Sequence, residues 1–390
     1  MAARGDGQRA FPSFSRNRWL TDAVALQRHD RAGVVDLLGD GTTIKPEAYD
    51  RFEAWWYGAA ANTRRAFAAD VRAWISFRRD RGQPSVPAGA IDIRDFIRVR
   101  VRAGLRSSSI ARQLASISIL HEIGGFTPSP VRDRVVSGEM KGLRREESLS
   151  GRGRAAQALP LRLKGDVADL INDPALPLSV MALVSTLDPP SSDNAAHARD
   201  RVLLLLGSDL GRRRSEYAAM SVGDVAVATN GSGTLLIRRS KTDQSGEGRV
   251  KYISRDAMSA IEAWIDLRRR RAGETDPSAP LLTSVDRFGR IGGRLSDDGI
   301  RHVLLSIARR GLGLLQPDLE PHQIAAQCRG LSGHSFRVGF AQDLTAAGEG
   351  LAAICQAADW KSPEMPTRYA EALAARSGAV ARLRTQMQKR

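Results

Sequence analysis

The residues KGLRREESLSGRGRAAQ at 141–157 carry glycine, serine and charge but no apolar stripe, and this break constrains the fold more than any other feature of the chain. A segment without an apolar face has nothing to bury, so it reads as an interdomain linker. On either side of it apolar residues recur at helical spacing. With 390 residues the chain is long enough for two cores, since single cores commonly take about 100–200 residues. The expected organisation is a flexible basic arm over 1–45, a helical domain over 46–145, a linker over 146–158 and a second domain over 159–390.

In the first domain Phe67, Val71, Trp74 and Ile75 follow a polar Asn62-Thr63 start, the pattern of a capped amphipathic helix. A second helix is predicted from Ser107–Ser109 onward, with Ile110, Leu114 and Ile117 on one face. The intervening PSVPAGAIDIRDFIRVRVRAG offers a loop and a further helix. In the second domain ARDRVLLLLGSDLG, LSDDGIRHVLLSIARRG and LAAICQAADW read as helices, while TLLIRR and RVKYIS flank a Gly- and Ser-containing loop as a hairpin. Residues 173–198 read as a loop-rich insertion. The predicted fold is therefore mainly α with a small β-hairpin or sheet.

The formal charge of +16 is the first functional statement the sequence makes. A polyanion gains affinity by releasing counterions to such a surface, so nucleic acid is the expected partner; a basic surface with no partner is the alternative. No run of about 18 apolar residues appears, which argues against a membrane span. The N-terminal MAARGDGQRAFPSFSRNRW lacks an apolar region of the secretory type. Cys328 and Cys355 form no C-x-x-C pair, and two thiols in a chain of this length suit a reducing, cytoplasmic compartment. There is no D-x-D or H-x-H cluster, so neither a metal nor another cofactor is expected.

Four segments concentrate residue types suited to phosphate binding and proton transfer. In GRRRSEYAAM at 211–220 three arginines precede Glu216 at a helix start; one enters a site steered by Glu216, or all three form a solvated basic patch. Lys241, in SKTDQSGEG, falls in the turn just past a strand, where an ammonium can reach a leaving oxygen or simply face solvent. In LSGHSFRVGF His334 and Arg337 stand three apart, on one helical face. An arginine can fork onto phosphate oxygens while an imidazole moves a proton, but a surface pair is the plainer reading. In WKSPEMPTRYAEAL at 360–373, Trp360 can offer its indole N–H to a phosphate or belong to the core. Tyr369, behind Pro363 and Pro366, can attack phosphorus or be structural.

Taken in order, Arg213, Lys241, His334, Arg337, Trp360 and Tyr369 resemble the catalytic set of the tyrosine recombinase (phage integrase) family. Arg213 sits in a G-x-R-x-x-E segment, Lys241 in the hairpin loop as SKT, and His334 with Arg337 in LSGHSFRVG. Trp360 stands where most integrases carry His, and Tyr369 follows nine residues later. NTRRAFAADVRAWISF, SSSIARQLASISILHEIGG and MKGLRRE are similar to the family's SAM-like core-binding domain, so the resemblance spans roughly 45–390. It implies a C-shaped clamp of two domains, a helical core-binding domain and a catalytic domain, around double-stranded DNA. It also implies a reaction without metal or ATP. Arg213 and Arg337 would bind the non-bridging oxygens, with Trp360 and His334 adding donors. Tyr369 would form a 3′-phosphotyrosine, Lys241 would protonate the 5′-hydroxyl, and Glu216 would orient the site.

The resemblance further places Thr63, Arg65, Ser108 and Arg112 at the major groove, and Asp298 and Arg301 on a groove helix, LSDDGIRHVLLSIARRG. It implies inverted half-sites and a homotetramer on two DNA sites, exchanging the C-terminal segment in which Val380, Leu383 and Met387 recur at helical spacing. Two departures stand out. Asp298 and Arg301 carry charges the other way round from those the resemblance leads one to expect, which points to a different half-site. AADW replaces a typical Gly-Gly-Trp, an apparent matter of helix packing alone. Competing readings are a type IB topoisomerase or telomere resolvase with the same nucleophile, and a DNA-binding protein without catalysis.

Overall fold

The computed structural model describes residues 46–150, 158–164, 178–238, 248–273 and 276–377, together with 380, 383, 384 and 387. The chain divides into two compact units, Met1–Ala155 and Ala156–Arg390. The expected arm over 1–45 lies outside the described residues.

The first unit is built from α1 (Pro46–Gly58), α2 (Ala61–Arg79), α3 (Ala90–Arg102), α4 (Ser107–Ile123) and α5 (Arg134–Leu149). The periodic residues read from the sequence form its core: Phe67, Val71, Trp74, Ile110, Leu114 and Ile117 are buried with Phe52, Trp56 and Phe96. Trp74 is fully buried, stacks on Phe77, meets Phe96 edge-on and donates its indole N–H to the Ser85 carbonyl at 2.8 Å. The α2–α3 loop is organised around a buried arginine. Arg78 reaches the Pro84 and Pro87 carbonyls, Gln83 and Asp92, so charge and donors are both satisfied inside the unit.

Two expectations for this unit need correction. The Asn62-Thr63 pair does not cap α2: the cap is Ala60, with no side-chain bond, and Asn62 instead accepts from Arg65. The stretch 141–157 is not all linker, because α5 runs to Leu149. Its fully buried apolar residues, Val136 and Met140, lie before the charged stretch, and a reading that starts at 141 meets only the partly buried Leu143 of that side. Glu147 is fastened by the backbone N–H and hydroxyl of Ser107, an anchor supplied from forty residues away.

The second unit contains α6 (Val180–Ser185), α7 (Ala195–Leu210), α8 (Arg214–Ala219), β1 (Val225–Val227), β2 (Gly233–Ile237), β3 (Arg249–Ile253) and α9 (Arg255–Ala272). Then come β4 (Thr283–Val285), β5 (Ile291–Arg294), α10 (Asp297–Leu315), α11 (Pro321–Gln327), α12 (Ser335–Ala346), α13 (Leu351–Ala358) and α14 (Glu364–Ser377). The predicted hairpin is β2–β3, and β1 joins it as a third antiparallel strand; β4 and β5 form a separate pair. Three-residue strands such as β1 are too short to show a period of two, which is why the sequence pattern passes over them. The supposed insertion at 173–198 is also part of the body: Val180, Leu183 and Val184 of α6 are buried, and α7 begins at Ala195. Residues 165–177 lie outside the described set.

Helix α7, with Val202 to Leu206 all buried, is the hydrophobic axis of this unit, and α9 and α12 pack against it. Among the described residues no helix is long and apolar enough to cross a membrane.

Replacing Trp74 by Ala should destabilise the first unit by about 3–5 kcal/mol through the cavity it leaves. Urea denaturation should show this as a lower midpoint with an unchanged slope.

Candidate active site

The site begins where α7 stops. Gly211 takes a left-handed conformation at φ 53°, and a Cβ there would lie 2.6 Å from the Phe340 ring, so glycine both turns the chain and lets α12 approach. The chain leaves the turn extended, which sends neighbouring side chains to opposite sides. Arg212 goes inward and is inaccessible to solvent; Arg213 goes outward, 27% exposed, and its Nη1 donates to Glu216 Oε1 at 2.9 Å. Glu216 is buried in the first turn of α8.

Helix α12 supplies the next two groups. His334 sits at its N-cap and Arg337 in its first turn. Arg337 is almost wholly buried, donates from Nη1 to the Gly211 carbonyl at 3.2 Å and from Nη2 to the Ala358 carbonyl at 3.0 Å. The Trp360 ring lies over its guanidinium, 4.6 Å from carbon to ring centroid. Burial and the neighbouring Arg213 lower the Arg337 pKa to about 10, which still leaves it charged at neutral pH.

Tyr369 lies on α14, which starts at Glu364, so the phenol sits one turn inside the helix rather than at its mouth. Pro366 belongs to the first turn of the same helix and Pro363 directly precedes it, the region where proline is tolerated because its missing N–H has no intrahelical partner. The ring is buried with Val338 and Ala341, Trp360 and Met365 packing alongside, and the hydroxyl is hydrogen bonded to His334 Nε2. Gln342 donates to the Tyr369 backbone carbonyl at 3.1 Å, fixing the turn that bears it. Burial raises the phenol pKa, opposed by Arg337, Arg368 and Arg213. Burial, reinforced by Arg337 and Arg213, lowers that of His334. A neutral imidazole is thus paired with a neutral phenol, the protonation states needed for proton transfer from oxygen to nitrogen.

Arg213, Glu216, His334, Arg337, Trp360 and Tyr369 are therefore brought together by four separate segments. Lys241 lies outside the described residues. Thr63, Arg65, Ser108 and Arg112 are all exposed, on α2 and α4. Arg112 is ion-paired with the buried Asp70 at 2.7 Å, and Asp70 also accepts from Ser116 at 2.9 Å. Asp298 and Arg301 are exposed near the start of α10, and Asp298 pairs with Arg214 at 3.1 Å.

Several residues escaped the sequence reading. Arg214 lies across Gly333, where an added Cβ would sit 1.6 Å from its Cγ, so one side chain links α8 to the segment before His334 and to Asp298 of α10. Asp359 departs furthest from expectation. The change to AADW is more than a matter of helix packing, because its carboxylate accepts from Arg212, from Lys251 at 2.8 Å and from Arg249 at 3.3 Å. The signal was present, since an Asp at a helix end where glycine is usual marks a left-handed cap with a side chain to place.

A fold of helices around two small sheets, with two arginines, a histidine and a tyrosine converging, defines a class. Residues 179–376 match the phage integrase family and residues 57–123 the phage integrase N-terminal SAM-like domain; the chain belongs to the phage integrase family and is a tyrosine recombinase. It is 26% identical over 317 residues to recombinase cre of Escherichia phage P1, covering 80% of this chain and 84% of that one. It is 23% identical over 276 residues to tyrosine recombinase XerC of Mycobacterium tuberculosis H37Ra, covering 71% of this chain and 80% of that one. Its fold is similar to that of the Tn1549 transposon integrase in complex with transposon right end DNA, with a TM-score of 0.52 at 16% identity, over 83% of this chain and 93% of the other.

Following the His334 imidazole by NMR should give a titration midpoint below 6.5, rising when Arg337 is replaced by Gln and one of its repelling charges is removed.

Proposed function

We propose that this protein is a site-specific DNA recombinase that cuts and rejoins strands through a 3′-phosphotyrosine and a Holliday junction, with Tyr369 as nucleophile. The observation that carries this reading is the Tyr369 hydroxyl bonded to a neutral His334 beside the buried Arg337 and the accessible Arg213. DNA is the partner, met by a surface of net charge +16.

The chemistry follows from these groups. A scissile phosphate set against Arg213 and Arg337 has its two non-bridging oxygens met by cations, which stabilises the additional charge of the pentavalent transition state. His334 Nε2 takes the Tyr369 proton as the phenol oxygen bonds to phosphorus. The bond from phosphorus to the 5′ oxygen breaks, and Lys241 gives that oxygen a proton. Glu216 holds Arg213 in register. Because the phosphotyrosine keeps a phosphodiester's bond energy, a 5′-hydroxyl from another strand reverses the step and no ATP is needed. Indole replaces imidazole at Trp360, which leaves a donor for the phosphate but no group that titrates near neutrality.

Specific binding rests on two surfaces in this reading. Thr63, Arg65, Ser108 and Arg112 face the groove from residues 46–145, the core-binding domain. Asp298 and Arg301 read bases from α10. Inverted half-sites and a tetramer on two sites complete it, with the exposed Val380, Leu383 and Met387 as the surface that a second protomer covers. The site of action is cytoplasmic, and the reading includes no metal or other cofactor.

Wild-type protein incubated with a nicked suicide duplex, bearing a site recovered by covalent trapping from a randomised library, should form a covalent adduct. Tyr369→Phe should form none; an adduct with that variant would reject Tyr369 as nucleophile. His334→Leu should slow adduct formation by about 10²–10⁴-fold. The wild-type rate should fall at acid pH, with its midpoint below 6.5, because the lowered His334 pKa keeps the base neutral down to that range. Replacing Asp298 or Arg301 by Ala should shift preference at particular base pairs by about 1–3 kcal/mol each; an unchanged binding profile would reject the groove assignment of α10.

A further inference from the structure

Arg337 is the more deeply buried of the two arginines assigned to the phosphate, and the groups behind it close a circuit. Its Nη1 donates to the Gly211 carbonyl at 3.2 Å and its Nη2 to the Ala358 carbonyl at 3.0 Å. Gly211 is followed by Arg212 and Ala358 by Asp359, and these two residues are themselves ion-paired. The pair therefore ties together, from behind, the two backbone segments that Arg337 spans from in front. Trp360, next in the chain after Asp359, completes the enclosure by laying its ring over the same guanidinium.

Asp359 is the one non-glycine with positive φ among the described residues, at φ 52° and ψ 47°. Glycine takes this conformation freely, so a residue with a side chain here has to be held by what the side chain does. Its carboxylate meets three cations: Arg212, Lys251 at 2.8 Å and Arg249 at 3.3 Å. Burial alone would raise its pKa, but the hydrogen bond to Lys251 and the charge of Arg212 more than reverse this, and the group stays ionised. Lys251 also donates to the Gln356 carbonyl at 3.1 Å, pinning α13 to β3. Arg212 has no solvent exposure and cannot reach DNA; its Nη1 stands 3.7 Å from Glu216 Oε2, so Asp359 is its close counter-ion.

We propose that Arg212 and Asp359 are positioning residues for strand cleavage: their ion pair sets the separation of the Gly211 and Ala358 carbonyls, and through these the placement of Arg337 and Trp360 at the scissile phosphate. The proposal rests on the recombinase reading above. Since neither residue touches DNA, it requires a change in the chemical step at constant affinity. Misplacing a reacting group by even an ångström can slow a reaction about 10²-fold.

The test is single-turnover cleavage of the nicked suicide duplex at saturating protein. Asp359→Asn keeps the size of the side chain and its tolerance of a left-handed backbone but removes the charge. It should cleave at least about tenfold more slowly, with the half-saturating protein concentration within about twofold of wild type. Arg212→Met should behave alike, and the double variant should be no slower than the slower single one, because both substitutions cut one tie. Rates that multiply, a wild-type rate for Asp359→Asn, or a loss of affinity as large as the loss of rate would each overturn the proposal. A duplex with sulfur at the 5′ bridging position separates Arg337 from Lys241, since a thiolate leaves without needing a proton. Sulfur should speed Lys241→Ala and leave Asp359→Asn slow; rescue of Asp359→Asn would overturn the assignment to Arg337. If wild type itself forms no adduct, the recombinase reading fails; if wild type cleaves and Asp359→Asn keeps pace, only the positioning role does.

Discussion

A guanidinium withdrawn from water demands acceptors and a counter-charge, and much of the second unit is arranged around meeting that demand for Arg337. Two carbonyls take its N–H groups, an indole covers its face, and Glu216 offsets the repulsion from Arg213 and Arg212. Such a group is expensive to bury because its hydration is lost. In return its field acts through protein rather than water, where each charge is felt more strongly. The same field reaches His334 and Tyr369, favouring neutral imidazole and opposing the rise in phenol pKa that burial causes.

The helical body was legible because its signal is periodic. Phe67, Val71 and Trp74, or Ile110, Leu114 and Ile117, announce a buried face without reference to any other segment. Elements whose stability comes from partners were not. β1 is three residues long and exists as an edge to β2, and the second half of α5 is mostly exposed, with no fully buried face of its own. Asn62 looked like a cap because its type suits one, yet the helix begins a residue earlier and the side chain serves Arg65 instead.

The candidate site was legible for a different reason. Histidine, arginine and tyrosine in a fixed order carry chemistry that few other arrangements share, and the folded chain brings five of the six ordered residues to one place. Residues that hold those groups carry no such label. Arg212 and Arg213 are neighbours of identical type, and only the turn at Gly211 decides that one is buried and the other exposed. Lys251 and Arg249 read as ordinary strand residues until β3 is laid beside Asp359.

The phenol of Tyr369 is docked on a histidine of its own chain, one turn before the arginine that shares its helix with that histidine's cap. The nucleophile, base and phosphate-binding cations of the proposed reaction thus belong to a single polypeptide. On the proposed reading such a chain brings its own cutting tyrosine to its own half of a target, so each strand broken is counted against one molecule. Two chains meeting on a site would then bring two separate nucleophiles, and the order of firing would be a matter for the contacts between them rather than for the sharing of a tyrosine.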